Sequence, residues 1–229
     1  MTPRALPRRS FVELGRHLEA ALRERLPGAS AHDVLAPRPR HEWPVGFDPS
    51  RIRHAAGLLL LVPFRAQAHV VLTVRAQTLG RHGGQISLPG GVVEPGESHE
   101  QAALREAHEE IALPLAAVRV LGSLTPLDVP VSGFRLYPIV AVAEASLPLT
   151  PAGGEVARIL RVPLAALAHP RGLVTIDRVR EGRPMTIPAF RVAGEEIWGA
   201  TAMVLAELLV LLGWRPERTD GGDTPPFRP

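Results

Sequence analysis

Three glutamates, Glu106, Glu109 and Glu110, carry the clearest chemical signal in this sequence. Residues at positions i, i+3 and i+4 of an α-helix lie on one face, so the three carboxylates would be neighbours. Like charges at this spacing destabilise an isolated helix. A divalent cation such as Mg²⁺ or Mn²⁺ accepts oxygen ligands and would remove the repulsion. The spacing therefore predicts a metal site, against the alternative of a solvated acidic face.

The residues around the glutamates follow a recognisable spacing. Gly91 is followed after five residues by Glu97, and after seven more by Arg105-Glu106-Ala107 and then Glu109-Glu110. This segment resembles the Nudix box, G-x5-E-x7-R-E-U-x-E-E-x-G-U, in which U is a bulky apolar residue. The first glycine and every charged position match.

The sequence departs from the box at two positions. The small Ala107 takes the place of a bulky apolar residue, and Ala112 takes the place of the late glycine. If position 112 needs a positive φ, alanine costs about 1 kcal/mol there. We expect a slightly longer helix or mild strain, without loss of chemistry.

A second resemblance lies upstream of the box. Residues 72–91 read LTVRAQTLGRHGGQISLPGG. They are similar to the pattern L-T-x-R…H-x-G-Q-[ILV]-[AS]-[FL]-P-G-G of the coenzyme A diphosphatase branch, with Leu88 in place of the usual Phe. Residues 197–209, IWGATAMVLAELL, resemble the helix start of the same branch, so the similarity spans about 55–212.

The resemblance implies hydrolysis of a nucleoside diphosphate linked to another moiety, with Mg²⁺ or Mn²⁺ as cofactor. For this branch the substrate would be coenzyme A, an acyl-CoA or an oxidised form. The products would be 3′,5′-ADP and 4′-phosphopantetheine or its derivative. Two alternatives remain: a Nudix hydrolase of ADP-ribose, NADH or a nucleoside triphosphate, and a Nudix module that senses a nucleotide without cleaving it.

The candidate metal ligands are Glu106 and Glu110, which lie four residues apart, and a backbone carbonyl of the Gly-Gly turn, assigned to Gly91. Glu109 is either a third ligand or the base that takes the proton of water. Metal ions that bridge the oxygens of a diphosphate neutralise its charge and lower the pKa of a bound water.

The candidate catalytic set is Glu97, Arg105 and Glu109. The family pattern implies that Arg105 pairs with Glu97 and fixes the loop on the helix. In some related enzymes a more distant glutamate supplies the base. Three glutamates are candidates for that role, and the sequence does not rank them: Glu155, Glu181 and Glu195.

The candidate substrate-binding residues come from the upstream pattern and are Arg75, His82, Gln85, Ser87 and Gly90. Gly90 permits close backbone approach to phosphate. Arg75 is either a phosphate contact or a surface charge at a strand end. His82 is either a contact near the site or an ordinary loop histidine. Gln85 and Ser87 alternate on a short strand, so they either face the cleft or hydrogen-bond at the sheet edge.

Composition limits the other classes of function. The 229 residues include no cysteine, which excludes a disulfide scaffold, a thiolate zinc site and a cysteine nucleophile. All 26 basic residues are arginine, and the net charge is +3. No uncharged apolar run reaches the roughly 18 residues of a membrane span, and no apolar segment follows the first basic residues as in a secretory signal. We expect a cytoplasmic protein with a small nucleotide as partner, without nucleic acid or membrane, and leave open a homodimer.

Both helices and strands must position these residues. Ser10 is the expected N-cap of a helix over 11–26, residues 27–50 read as a loop, and Pro114 stops the helix that carries the glutamates. We expect an α/β (α+β) fold, a Nudix-like α/β/α sandwich with a mixed β-sheet. The expected domain spans 51–214, after an N-terminal helix and loop over 1–50 and before a disordered tail over 215–229. The other predicted helices lie at 98–111, 163–170 and 199–213, and the predicted strands at 55–64, 69–76, 85–91, 118–127, 134–145 and 155–164.

Overall fold

The computed structural model describes residues 6–77, 84–180 and 183–216. His82, Glu181 and most of the predicted disordered tail lie outside these ranges. Five α-helices, α1 to α5, occur within them: Phe11–Ala21, Ala29–His32, His99–Ile111, Leu164–Leu167 and Gly199–Leu211. Eleven strands, β1 to β11, occur there too: Arg53–Phe64, Gln67–Arg75, Ile86–Ser87, Gly90–Val92, Arg119–Ser123, Leu127–Val129, Phe134–Val142, Val156–Pro163, Leu173–Arg180, Arg183–Val192 and Glu195–Trp198.

The first eight strands form one mixed sheet. Its centre is β1, which pairs in parallel with β7 and antiparallel with β2 and β4. The strands β9, β10 and β11 form a separate antiparallel sheet. The expected mixed α/β architecture is confirmed.

The apolar run in β1 is buried on both faces of the sheet, as a continuous rather than alternating pattern requires. Leu58 and Leu60 pack with Ala103 and Ala107 of α3 on one face. Leu59 and Leu61 belong to a second core on the other face, which contains most of α5. The sheet is therefore covered by helices on both sides.

The N-terminal helix belongs to this second core. Ser10 caps α1 as expected, and the apolar stripe of the helix buries Leu14 and Leu18 against the core. Arg9 and His17 also hydrogen-bond to carbonyls at the end of α5, those of Leu212 and Leu211. The domain itself thus covers the apolar stripe of α1.

Several predicted boundaries were wrong, each for a local or tertiary reason. The helix predicted over 11–26 ends at Ala21, and the chain then turns toward α5, where Gly28 is hydrogen-bonded to Glu207. The single strand predicted over 85–91 is two strands, β3 and β4, separated at Pro89, which lacks an N–H for the ladder. The loop predicted over 27–50 contains the short helix α2, and no prediction covered the strand β9.

Within the described ranges, none of the helices combines the length and the apolar character that crossing a bilayer requires.

Candidate active site

The helix α3 holds the three box glutamates, and local signals fix both of its ends. At its start, the Ser98 hydroxyl accepts a hydrogen bond from the Gln101 N–H, and the Gln101 side chain accepts one from the Ser98 N–H. This capping box satisfies two of the free donors of the first turn. At its end, Ala112 has φ 50° and ψ 42°, the left-handed conformation. Of the two expectations for Ala112, strain is found and a longer helix is not.

Gly90 and Gly91, which the sequence predicted to form a tight turn, begin the strand β4 and contact two of these glutamates. The pair keeps the name Gly-Gly turn. Gly90 and Gly91 pair with Gly57 and Ala56 of β1. Gly90 has φ 153°, and a Cβ there would overlap the carbonyl oxygen of Ala56. A Cβ on Gly91 would overlap the carboxyl group of Glu106. Position 90 therefore needs glycine, because a Cβ there would meet strand backbone, whereas a Cβ on Gly91 would meet only the movable end of the Glu106 side chain.

Glu110 faces the same turn from one helical turn further along α3. Its carboxylate accepts a hydrogen bond of 3.0 Å from the backbone N–H of Gly90. The pKa of Glu110 is raised to about 7, first by burial and then by the negative charges of Glu106 and Glu155, and this is the net result after the lowering effects of the Gly90 N–H and Arg75. The carboxylate therefore lies in a place where negative charge is incompletely compensated.

Arg105 ties the loop before α3 to the helix. Its Nε and Nη2 atoms donate to the two carboxylate oxygens of Glu97, at 2.9 and 3.1 Å. The same guanidinium donates to Glu106 at 3.0 Å, to Glu109 at 3.3 Å and to the carbonyl of Val92 at 3.1 Å. The hydrogen bonds from Arg105 lower the pKa of Glu97. The planar fork of arginine suits this role, because it reaches several oxygens from one position.

The chemistry of these donors fits a hard divalent cation. Glu106 and Glu110 both face the Gly-Gly turn and supply carboxylate oxygens, while Glu109 is turned toward Arg105 with its side chain 56% exposed. Among the residues that the structure describes, no three acidic or imidazole side chains already converge on one point. Mg²⁺ commonly binds through one or two carboxylates and completes its shell with water and substrate phosphate, so two carboxylates suffice for such a site.

The structure separates the remote glutamates that the sequence left unranked. Glu155 acts on the pKa of Glu110 and forms an ion pair of 3.3 Å with Arg75. Glu195 instead pairs with Arg158 at 2.7 Å. Of these two, Glu155 is therefore the remote carboxylate whose charge acts on a box glutamate. No sequence signal could have identified it, since it is 45 residues from Glu110 and follows a loop.

The other predicted substrate-binding residues lie around the same strand ends. The Ser87 hydroxyl forms a hydrogen bond of 3.1 Å with the Thr73 hydroxyl, so it bonds at the sheet edge. The carbonyl of Gln85 accepts a hydrogen bond from the Arg75 N–H at 3.0 Å, and the Gln85 side chain is half-buried. His82 falls outside the described residues.

Comparison with known proteins identifies the family of the chain. The NUDIX domain model matches residues 53–179. The chain is 34% identical over 188 residues to the uncharacterized Nudix hydrolase NudL of Salmonella paratyphi B, covering 82% of this chain and 94% of that protein. NudL of Salmonella typhimurium gives the same values. Among solved structures, the Nudix hydrolase RenU of M. smegmatis has a TM-score of 0.44 and 31% identity, over 51% of this chain and 73% of that one. By its matched domain and its NudL relatives, the chain belongs to the Nudix family.

Proposed function

We propose that this Nudix hydrolase cleaves the diphosphate bond of coenzyme A and its derivatives, with Mg²⁺ or Mn²⁺, to 3′,5′-ADP and 4′-phosphopantetheine. One observation carries the proposal. The segment 72–91, which resembles the coenzyme A diphosphatase branch, brings Arg75 close enough to Glu110 to act on its pKa. A cationic side chain from the segment that resembles this branch thus contributes to the electrostatics of a box carboxylate.

The carboxylates of Glu106 and Glu110 would hold the cation, together with a backbone carbonyl of the turn at Gly90 and Gly91. A bound cation would neutralise the diphosphate oxygens and lower the pKa of a water molecule beside them. Arg105 keeps Glu106 and the loop at Glu97 in place through its hydrogen bonds. The helix and the turn therefore arrive pre-positioned, which reduces the entropy lost on binding.

We expect one of two carboxylates to accept the proton of the attacking water. Glu109 is half-exposed, on the face of α3 that carries Glu106. Glu155 directly precedes β8 and contributes to the raised pKa of Glu110. Of the remote glutamates within the described residues, the geometry favours Glu155 over Glu195, whose nearest cation is Arg158.

The proposal also includes the expected domain limits of 51–214 and a cytoplasmic location. The domain limits are supported by the matched family model over 53–179 and by the burial of α5 in the core. The cytoplasmic location is supported by the lack of cysteine in the chain.

The deciding experiment is a substrate screen with product identification. Purified protein is incubated with Mg²⁺ or Mn²⁺ and one of five substrates: coenzyme A, acetyl-CoA, ADP-ribose, NADH or a nucleoside triphosphate. The products are separated by chromatography and identified by mass spectrometry. Release of 3′,5′-ADP from coenzyme A, abolished by EDTA, supports the proposal. Efficient cleavage of ADP-ribose with coenzyme A untouched would assign another Nudix substrate, and tight binding without turnover would assign a sensing module.

A further inference from the structure

Arg75 and Glu155 form an ion pair at the edge of the candidate active site. The Arg75 Nη2 and Glu155 Oε2 atoms are 3.3 Å apart. Backbone hydrogen bonds hold both residues, from the Ala76 N–H to the Glu155 carbonyl at 2.8 Å and from the Arg75 N–H to the Gln85 carbonyl at 3.0 Å. The strand register shifts between Val74 and Arg75, at the point where β2 meets the start of β8. The ends of β2 and β8 therefore fix the backbone positions of Arg75 and Glu155.

The pair is weak enough to open. The side chains of Arg75 and Glu155 are 42% and 53% exposed. An ion pair between side chains exposed to this degree contributes little to stability, because water screens it and both side chains lose freedom. A phosphate group that approaches a guanidinium can form two parallel charge-assisted hydrogen bonds, which are stronger than ordinary ones. The substrate therefore has the means to displace Glu155 from Arg75.

We propose that Arg75 exchanges partners when substrate binds, leaving the Glu155 carboxylate for a phosphate group of the nucleotide. Glu155 acts as a positioning residue for Arg75: it holds the guanidinium at the meeting point of β2 and β8 before substrate arrives. Glu155 also sets the affinity for Arg75 that an incoming anion must exceed. An anion that binds arginine more weakly than this carboxylate does will not displace Glu155. The nature of the nucleotide rests on the proposed function, whereas the exchange itself requires only an anionic phosphate.

The test is a double-mutant cycle measured by binding without metal, so that proton transfer and turnover play no part. Coenzyme A, and separately ADP-ribose, is titrated by calorimetry into wild type, Glu155→Gln, Arg75→Gln and the double variant, all in EDTA. We expect Glu155→Gln to tighten binding about 3- to 5-fold, since Arg75 loses its competing carboxylate. Arg75→Gln should weaken binding by about tenfold. The double variant should bind like Arg75→Gln, within twofold.

The double variant separates exchange from simple charge repulsion. If Glu155 only repels the anion through space, Glu155→Gln will tighten binding by the same factor with or without Arg75, and the exchange is wrong. Undetectable binding by both wild type and Glu155→Gln would also overturn it, because Arg75 would then supply no anion contact. The matched control is Glu19→Gln, which removes a comparably exposed ion pair with Arg119 of 2.9 Å, on the outer surface of α1. Glu19→Gln should change neither the affinity for coenzyme A nor the affinity for ADP-ribose.

The proposed function and the exchange can fail separately. If wild type releases 3′,5′-ADP from coenzyme A but the cycle shows no coupling between Arg75 and Glu155, the exchange is wrong and the function stands. If coenzyme A is neither bound nor cleaved but ADP-ribose shows the coupling, the exchange stands and the substrate assignment is wrong.

Discussion

Glu110 accepts a hydrogen bond from the backbone N–H of Gly90, at 3.0 Å and across twenty residues of chain. This bond joins the helix that carries the box glutamates to the turn that a diphosphate must approach. It is also one of the few interactions that favour the ionised form of a carboxylate that burial and two neighbouring acids disfavour. The consequences of this arrangement can be measured.

The first prediction concerns turnover. Glu109→Gln or Glu110→Gln should lower kcat by orders of magnitude, because each removes a carboxylate from metal binding or proton transfer. The melting temperature should stay nearly unchanged or rise, because the substitution removes like-charge repulsion on α3. Steady-state kinetics and thermal unfolding check both parts. Full activity in both variants would contradict the assignment of the site.

The second prediction concerns pH. The folded pKa of Glu110, about 7, lies above its ordinary value of 4.5, so the folded state binds more protons between these values than the unfolded state. The contribution of Glu110 to stability should therefore be fully present below about pH 4.5 and be lost as pH rises through 7.

In EDTA, Glu110→Gln should exceed wild type in free energy of unfolding at pH 8, by on the order of 2 kcal/mol, and by much less at pH 5. Denaturant unfolding measures this, with the exposed Glu24→Gln as control. An equal difference at both pH values would rule it out.

The third prediction separates stability from activity at Gly91. A Cβ on Gly91 would meet the end of the flexible Glu106 side chain, which can move aside. Gly91→Ala should therefore change the melting temperature by only a few degrees while displacing a predicted metal ligand. We expect kcat to fall about 100-fold, with a higher Mn²⁺ concentration needed for half-maximal rate. Gly15→Ala in α1, where a Cβ meets only a side-chain nitrogen of Arg119 at 4.0 Å, should leave activity unaltered.

The fourth prediction concerns Ala112, the C-cap residue of α3. Its left-handed conformation is one that glycine adopts without strain. Ala112→Gly should raise the free energy of unfolding by about 0.5–1 kcal/mol and leave kcat unchanged. The opposite sign is expected for Ala20→Gly, at an exposed position inside α1. Loss of stability in Ala112→Gly would show that the conformation is not strained.

The fifth prediction concerns a buried acid that holds the N-terminal segment on the domain. Glu207 of α5 is fully buried and accepts hydrogen bonds from the Gly28 N–H and from the N–H and hydroxyl of Thr125, and it bonds the His32 ring at 2.8 Å. Glu207→Leu leaves these partners unsatisfied and should cost at least about 3 kcal/mol, measured by denaturant unfolding. The conservative Glu207→Gln should cost less, because it keeps an acceptor for Gly28. Equal stability of wild type and Glu207→Leu would refute this role.

Local rules were sufficient for the helix that carries the glutamates. Its spacing of acids, its cap at Ser98 and its end before Ala112 depend on residues within one or two turns of each other. The central strand could also be predicted from the sequence, because an apolar run such as that of β1 must be buried on both faces wherever it lies. The boundaries were less accurate where a distant contact decided them, as at the end of α1.

The sequence by itself determined the type of chemistry and the helix that bears it, since both follow from residue types at fixed short spacings. Only the tertiary structure decided which distant side chains join that helix. Two examples are the pairing of Arg75 with Glu155, whose charges both act on the pKa of Glu110, and the burial of Glu207 among Gly28, His32 and Thr125. Both depend on how strands and helices pack. Contacts of this kind are selected by the free energy of the whole core, so no short stretch of sequence specifies them.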